Sequence, residues 1–192
     1  MTRSSLLETE DSLLVVIDIQ PTFVKKENKE DNNPLLQRMC WVIKVANWLN
    51  IPLVVTAEDI AHTGNICNEI AELLPPESKI YNKMIFGLAG QSDILEVVKE
   101  TGRKTAVLIG YETDVCVTHS ALGLMDLGYR VVVVEDATGS PGKSHQIGID
   151  RIHGEGGIIV NAKSLYYEWI RTVEKSIEFE ALGVPAPAGI VL

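Results

Sequence analysis

Three side chains in this 192-residue sequence could together carry out covalent hydrolysis: Asp18, Lys83 and Cys116. A carboxylate can move a proton, an ammonium can hold negative charge beside it, and a thiolate can attack a carbonyl carbon. Asp18 directly follows the apolar run 13–17, and Lys83 follows 79–81 with one residue between. Cys116 follows 105–109 through the turn Gly110-Tyr111-Glu112-Thr113-Asp114. Taken singly, each has a plainer reading as a turn aspartate, a solvated lysine or a core cysteine. Their shared position after strands is what sets them apart, because ligands of an open parallel sheet gather beyond the carboxyl ends of its strands. Cys116 also falls in the first turn of its expected helix, where unpaired N–H groups favour a thiolate and offer donors to an oxyanion. It is therefore expected to alkylate near neutral pH faster than Cys40 or Cys67, with Thr113 or Asp114 capping the helix.

For these residues to meet, the chain must alternate short β-branched strands with helices, the pattern of βαβ units and a sheet covered on both faces. Expected strands are 13–17, 53–56, 79–81, 105–109, 130–134 and 157–160; expected helices are 34–49, 66–74, 92–101, 115–127, 143–153 and 163–172. Gly102 and Gly128 stand where left-handed caps end two of the helices. The fold class is α/β, three layers with a mainly parallel sheet of about six strands, in one domain over 1–192 with its core at about 11–172. The tail 173–192 closes on Ile190, Val191 and Leu192, an apolar end that could serve as an arm on a neighbouring subunit of a homo-oligomer.

Composition narrows the partners. Apolar residues make up 46% and charged residues 22%, the proportions of a globular protein. A net charge of −9 lacks the cationic footprint for nucleic acid or anionic lipid, so a small-molecule substrate is the expected partner. Three cysteines without a CxxC and four dispersed histidines suggest neither a disulfide framework nor a structural metal, and no run is long enough to span a bilayer. A reducing, cytoplasmic location and no cofactor are expected.

The segments Val16-Ile17-Asp18-Ile19-Gln20 with Phe23, Lys83 with Phe86, and Gly110-Tyr111-Glu112-Thr113-Asp114-Val115-Cys116-Val117 resemble the three signature segments of the isochorismatase-like cysteine hydrolases, the superfamily of nicotinamidases and isochorismatases. Glu135-Asp136-Ala137-Thr138, His145, Leu165 and Tyr167-Glu168-Trp169 extend the likeness, which runs from about Leu13 to about Trp169. The resemblance implies a Rossmann-like fold and a catalytic triad of Asp18, Lys83 and Cys116. Asp18 would take the thiol proton, protonate a leaving amine and then activate water, with a thioester on Cys116 between the two stages. It further implies a cis peptide between Tyr111 and Glu112, an oxyanion hole from the N–H groups of Glu112 and Cys116, and a pocket walled by Gln20, Phe23 and Phe86. Amide-type C–N hydrolysis is the leading expectation, and isochorismatase-type cleavage of a vinyl ether through Asp18 is the alternative.

The sequence departs from the family pattern in two places. Metal-using nicotinamidases carry an Asp-x-His element after the second strand, whereas this chain has Ile60 in the position of the histidine, leaving Glu58, Asp59 and His62 as the remaining ligand candidates; no metal is expected. Pro21-Thr22 replaces the usual Asn-Asp after Gln20. Two rivals come from elsewhere in the chain. Residues 137–144 fit a phosphate-binding loop with Ala137 for its first glycine and Lys143 as its lysine, although Pro141 removes one of the N–H groups such a loop donates. His119, three residues after Cys116, could share its helix face as a base.

Overall fold

The runs rich in valine and isoleucine are short and uniformly apolar, as strands buried on both faces must be. They become β1 (Ser12–Ile17), β2 (Leu53–Glu58), β3 (Ile80–Lys83), β4 (Thr105–Tyr111), β5 (Arg130–Gly139) and β6 (Ile158–Val160). In a computed structural model describing residues 4–27 and 33–192, they form one sheet in the order β3-β2-β1-β4-β5-β6, with every pair parallel. The chain builds outward from β1 to β3 and then returns to lay β4 on the other side of β1. That reversal opens a crevice at the carboxyl ends of β1 and β4.

Nine helices among the described residues flank the sheet: α1 (Pro21–Glu27), α2 (Pro34–Trp48), α3 (Ile60–Thr63), α4 (Asn68–Ala71), α5 (Ser92–Glu100), α6 (Thr118–Asp126), α7 (Ser144–Gly154), α8 (Ala162–Ile170) and α9 (Val173–Glu180). Period-two alternation divides the core between them. Leu14 and Val16 join Met39, Val42 and Ile43 of α2 and Leu165 and Trp169 of α8 on one face. Leu13, Val15 and Ile17 join Ile94 and Val98 of α5, Ala121 and Leu124 of α6, and Ile149 and Ile152 of α7 on the other. Asn33 starts α2 by accepting the N–H groups of Leu35 and Leu36, with Pro34 in the first turn.

Several elements differ from the sequence reading. The expected helix 66–74 shortens to α4, because Pro75 and Pro76 follow it and disfavour helical backbone before them. Short α1 and α3 escape a periodicity test that needs several turns. The tail adds a helix beyond the expected set: Thr172 caps α9 by accepting the Lys175 N–H, and Phe179 packs against Trp41, Trp48 and Tyr166 with ring centroids 5.1–6.1 Å apart. Ile190 is buried in the same core, so much of the apolar end is covered within the chain, while Val191 stays exposed.

Where β4 passes β1 the backbones come unusually close. Gly110 has φ 125°, and a Cβ there would lie 1.9 Å from the Ile17 carbonyl oxygen, so only glycine fits. Among the described residues no helix is long and apolar enough to cross a membrane.

Candidate active site

β1 delivers the first acid. Its last residue, Ile17, is held on both sides by Thr56 and Gly110, and the chain then turns at Asp18 with φ 49°, left-handed backbone that aspartate tolerates better than most residues. The turn is pinned by Asp18 N–H donating to the Thr56 carbonyl (3.1 Å) and by Gln20 N–H donating to the Asp18 carbonyl (2.8 Å). The buried carboxylate accepts from Thr56 Oγ1 at 2.8 Å and faces Lys83 Nζ at 2.9 Å. Lys83 is the last residue of β3 rather than a loop residue beyond it. Its ammonium, also fully buried, donates to Cys116 Sγ at 3.5 Å and to the Ile85 carbonyl at 3.4 Å.

Cys116 sits in a π-helical turn, Thr113–Val117, between β4 and α6. The Tyr111–Glu112 peptide bond is cis, and the Glu112 carbonyl accepts the N–H groups of Val115 and Val117 (both 3.1 Å). Neither Thr113 nor Asp114 caps the turn as expected. Thr113 Oγ1 lies 2.9 Å from His145 Nδ1 of α7, and Asp114 accepts at 2.6 Å from Oγ of Ser140, which directly follows β5. Gly148 allows this close packing, since a Cβ there would meet the Thr113 carbonyl at 2.8 Å.

A fourth group belongs to the cluster. Glu58 ends β2 directly beside Lys83 in the strand register, and its Oε2 accepts from the Cys116 thiol at 3.2 Å. The strand-end rule that singles out Asp18 and Lys83 would have found it, had β2 been read two residues further than 53–56. Gln20 fixes this strand end: its Oε1 accepts from Glu58 N–H at 2.8 Å, while its Nε2 donates to the carbonyls of Glu58 (2.9 Å) and Gly64 (2.6 Å). The Gln20 side chain is thus buried and fully engaged with backbone.

The electrostatics follow from burial. Burial pushes the Asp18 carboxyl above its usual range against the opposing pull of Lys83. For Lys83 burial alone would lower the ammonium, but the charges of Asp18 and Cys116 prevail and raise it. Burial, then the Asp18 charge, drives the Cys116 thiol well above normal despite Lys83, and Glu58 adds to the effect. Burial likewise pushes Cys40 and Cys67 up to about 11. Burial and the neighbouring acids thus oppose the thiolate that the helix-tip position favours, and activation of Cys116 calls on a neighbouring base.

Asp18, Glu58 and Cys116 offer ligand atoms within 4.8 Å of one another, the spacing of a metal site. Lys83 already supplies the cation there, paired with Asp18. Asp59 and His62, the other ligand candidates, instead pair with each other at 2.8 Å, with His62 largely exposed. Phe23 is buried in the core under Lys26, whereas Phe86 is exposed and meets the exposed His119 edge-on at 6.3 Å. The phosphate-loop reading fails on backbone grounds. β5 runs on to Gly139, pairing Thr138 with Gly110 and Gly139 with Tyr111, so the first part of 137–144 is ladder rather than loop; Lys143 is exposed ahead of α7.

Comparison with known proteins bears on this arrangement. The family profile of the isochorismatase domain matches residues 12–164. The secreted isochorismatase effector Isc1 of Phytophthora sojae is 32% identical over 131 residues, covering 66% of this chain and 62% of that protein's length. Among solved structures, the Escherichia coli YcaC gene product, described as an octameric hydrolase of unknown specificity, is similar with a TM-score of 0.87 at 20% identity, over 95% of this chain and 90% of that one. Pseudomonas aeruginosa YcaC, solved with hexane-2,5-diol and covalent acrylamide, is similar with a TM-score of 0.83 at 20% identity, over 96% of this chain and all of that one.

Proposed function

Since this chain belongs to the isochorismatase family and is a hydrolase of that type, we propose that it hydrolyses an amide-type C–N bond of a small molecule through a thioester on Cys116. The observation that carries the reading is the buried Lys83 ammonium, 2.9 Å from Asp18 and 3.5 Å from Cys116. Asp18, a stronger base than an ordinary carboxylate because it is buried, takes the thiol proton; Lys83 stabilises the sulfur as it gains charge. Sulfur attacks the carbonyl carbon, and the resulting oxyanion is received by the N–H groups of Glu112 and Cys116. The C–N bond breaks as Asp18 returns its proton to nitrogen. Water then gives a proton to Asp18 and attacks the thioester, and the departing sulfur recovers that proton as the acid product leaves. Gln20 acts on the pocket indirectly by holding the Glu58 strand end, and the exposed Phe86 stands at its mouth.

A panel of small carboxamides, ureides and carbamoyl compounds is expected to include at least one that releases ammonia or an amine, with turnover undiminished by exhaustive chelation. Isochorismate should release little pyruvate. Rapid pyruvate release without amide turnover would replace this reading with the vinyl ether one.

The exposed apolar residues Met84, Ile85 and Phe86 follow Lys83 directly and support assembly into a homo-oligomer, as does the octameric E. coli YcaC. Light scattering should give a multiple of the 21.1 kDa chain mass, and a monomer at micromolar concentration would exclude stable assembly. Three free cysteines fit a reducing compartment such as the cytoplasm.

A further inference from the structure

We propose that Glu58 restricts this site to uncharged carbonyl substrates that offer an N–H beside the scissile bond, such as primary carboxamides and ureides, and rejects substrates carrying a carboxylate there. The inference rests on the Cys116 hydrolase reading and adds its substrate class. Around the thiol, the charges of Asp18 and Lys83 cancel as an ion pair, while no Lys or Arg among the described residues forms a salt bridge with Glu58. The nearby Glu112 side chain is offset by Lys26 at 3.3 Å. Glu58 is therefore the acid of the cluster that no cation among the described residues offsets.

Position makes that charge selective. Asp18 and Lys83 are wholly buried and Cys116 nearly so, whereas Glu58 is half-buried, the member of the cluster that an incoming molecule meets. A carbonyl carbon about 3–3.5 Å from the sulfur is in position for attack, and with Oε2 only 3.2 Å from that sulfur, the substituents on the carbon fall within reach of Glu58. An N–H there gains a charge-assisted hydrogen bond, while a carboxylate meets a like charge at short range in a site that excludes much of the water. Gln20 holds the Glu58 backbone at both its N–H and its carbonyl, so the strand end bearing the acid cannot readily swing aside.

Iodoacetamide and iodoacetate provide a test that needs no known substrate, since they differ mainly in an amide against a carboxylate. Rates of modification at Cys116 are read by peptide mapping of the full-length protein. The reference is 2-mercaptoethanol with the same two reagents, at about 0.5 M KCl to screen the overall charge of the protein. The preference of Cys116 for iodoacetamide is expected to exceed that of the free thiol by on the order of 100-fold, and Glu58→Gln should bring it to within about 3-fold of the free thiol. A wild-type preference equal to that of the free thiol overturns the proposal without reference to any variant, and so does an unchanged preference in a folded Glu58→Gln protein. If neither reagent modifies Cys116 and no carboxamide is turned over, the hydrolase reading itself falls and the inference falls with it. Turnover of carboxamides without charge discrimination at Cys116 removes only the role given to Glu58.

Discussion

Cys116→Ala and Asp18→Asn should each reduce carboxamide turnover by a factor of at least about 10⁴, to the background of the assay. The alanine variant has no atom that can form the thioester. The asparagine variant keeps the shape of the site and an oxygen for Thr56 Oγ1, now 2.8 Å from the carboxylate, but loses the group that moves the proton. Because burial and the Asp18 charge push the Cys116 thiol up, its attack relies on Asp18 as the base, and the two losses should be similar and far from additive. Ammonia release measures the rates, and intact-protein mass spectrometry should find an acyl adduct in the wild type or a slow variant and none in Cys116→Ala. If Cys116→Ala hydrolysed isochorismate at the wild-type rate while Asp18→Asn did not, sulfur would have no covalent role and the vinyl ether alternative would stand.

The second large effect joins activity to stability. Lys83→Met leaves the wholly buried Asp18 without its ionic partner, so it should cost about 3–5 kcal/mol of folding stability as well as nearly all turnover. The penalty should depend on pH with a definite sign. Burial already raises the Asp18 carboxyl and Lys83 opposes that rise, so without the lysine its folded-state pKa climbs further above the unfolded value. The folded variant then binds the proton more tightly than the unfolded chain. Its stability is greatest below the ordinary carboxyl range and is lost as pH rises through the raised value. Urea denaturation should therefore find Lys83→Met closer to wild type near pH 4 than near pH 8. The double variant Asp18→Asn with Lys83→Met should recover much of the stability at pH 8 and none of the activity. Equal penalties at the two pH values would mean that Lys83 acts chiefly by filling space.

The alternation of strands and helices, the six parallel strands and the family are all legible in the sequence, because short β-branched apolar runs, glycine helix ends and signature segments are local signals. The switch between β1 and β4 that gathers the reactive groups is not local, and the place of Asp18, Lys83 and Cys116 on one rim could be read only as a likelihood of shared position. Strand ends were the weakest part of the reading, and the consequences fell at the site. Ending β2 at 56 leaves Glu58 outside the strand as one of three ligand candidates, and ending β5 at 134 leaves residues 137–144 free to look like a phosphate cradle until the pairing of Thr138 and Gly139 with β4 claims their backbone. The surroundings of the cysteine are hidden for a related reason. Helix position is visible in sequence, but burial and the approach of two carboxylates are not. Of the apolar end of the tail, Ile190 enters a core that only the assembled fold creates, while Val191 stays exposed.

Gln20 has a consequence for anyone remodelling this enzyme. By bonding to both the N–H and the carbonyl of Glu58, one amide side chain does there what a neighbouring strand does elsewhere along β2, and it also holds the carbonyl of Gly64. Residues 58–64 are therefore a cassette clipped to the end of β1. A segment taken from another member of the fold would need a glutamine at position 20 and main-chain groups at the same two anchor points. A substitution at position 20 should reshape substrate preference without touching a reacting atom.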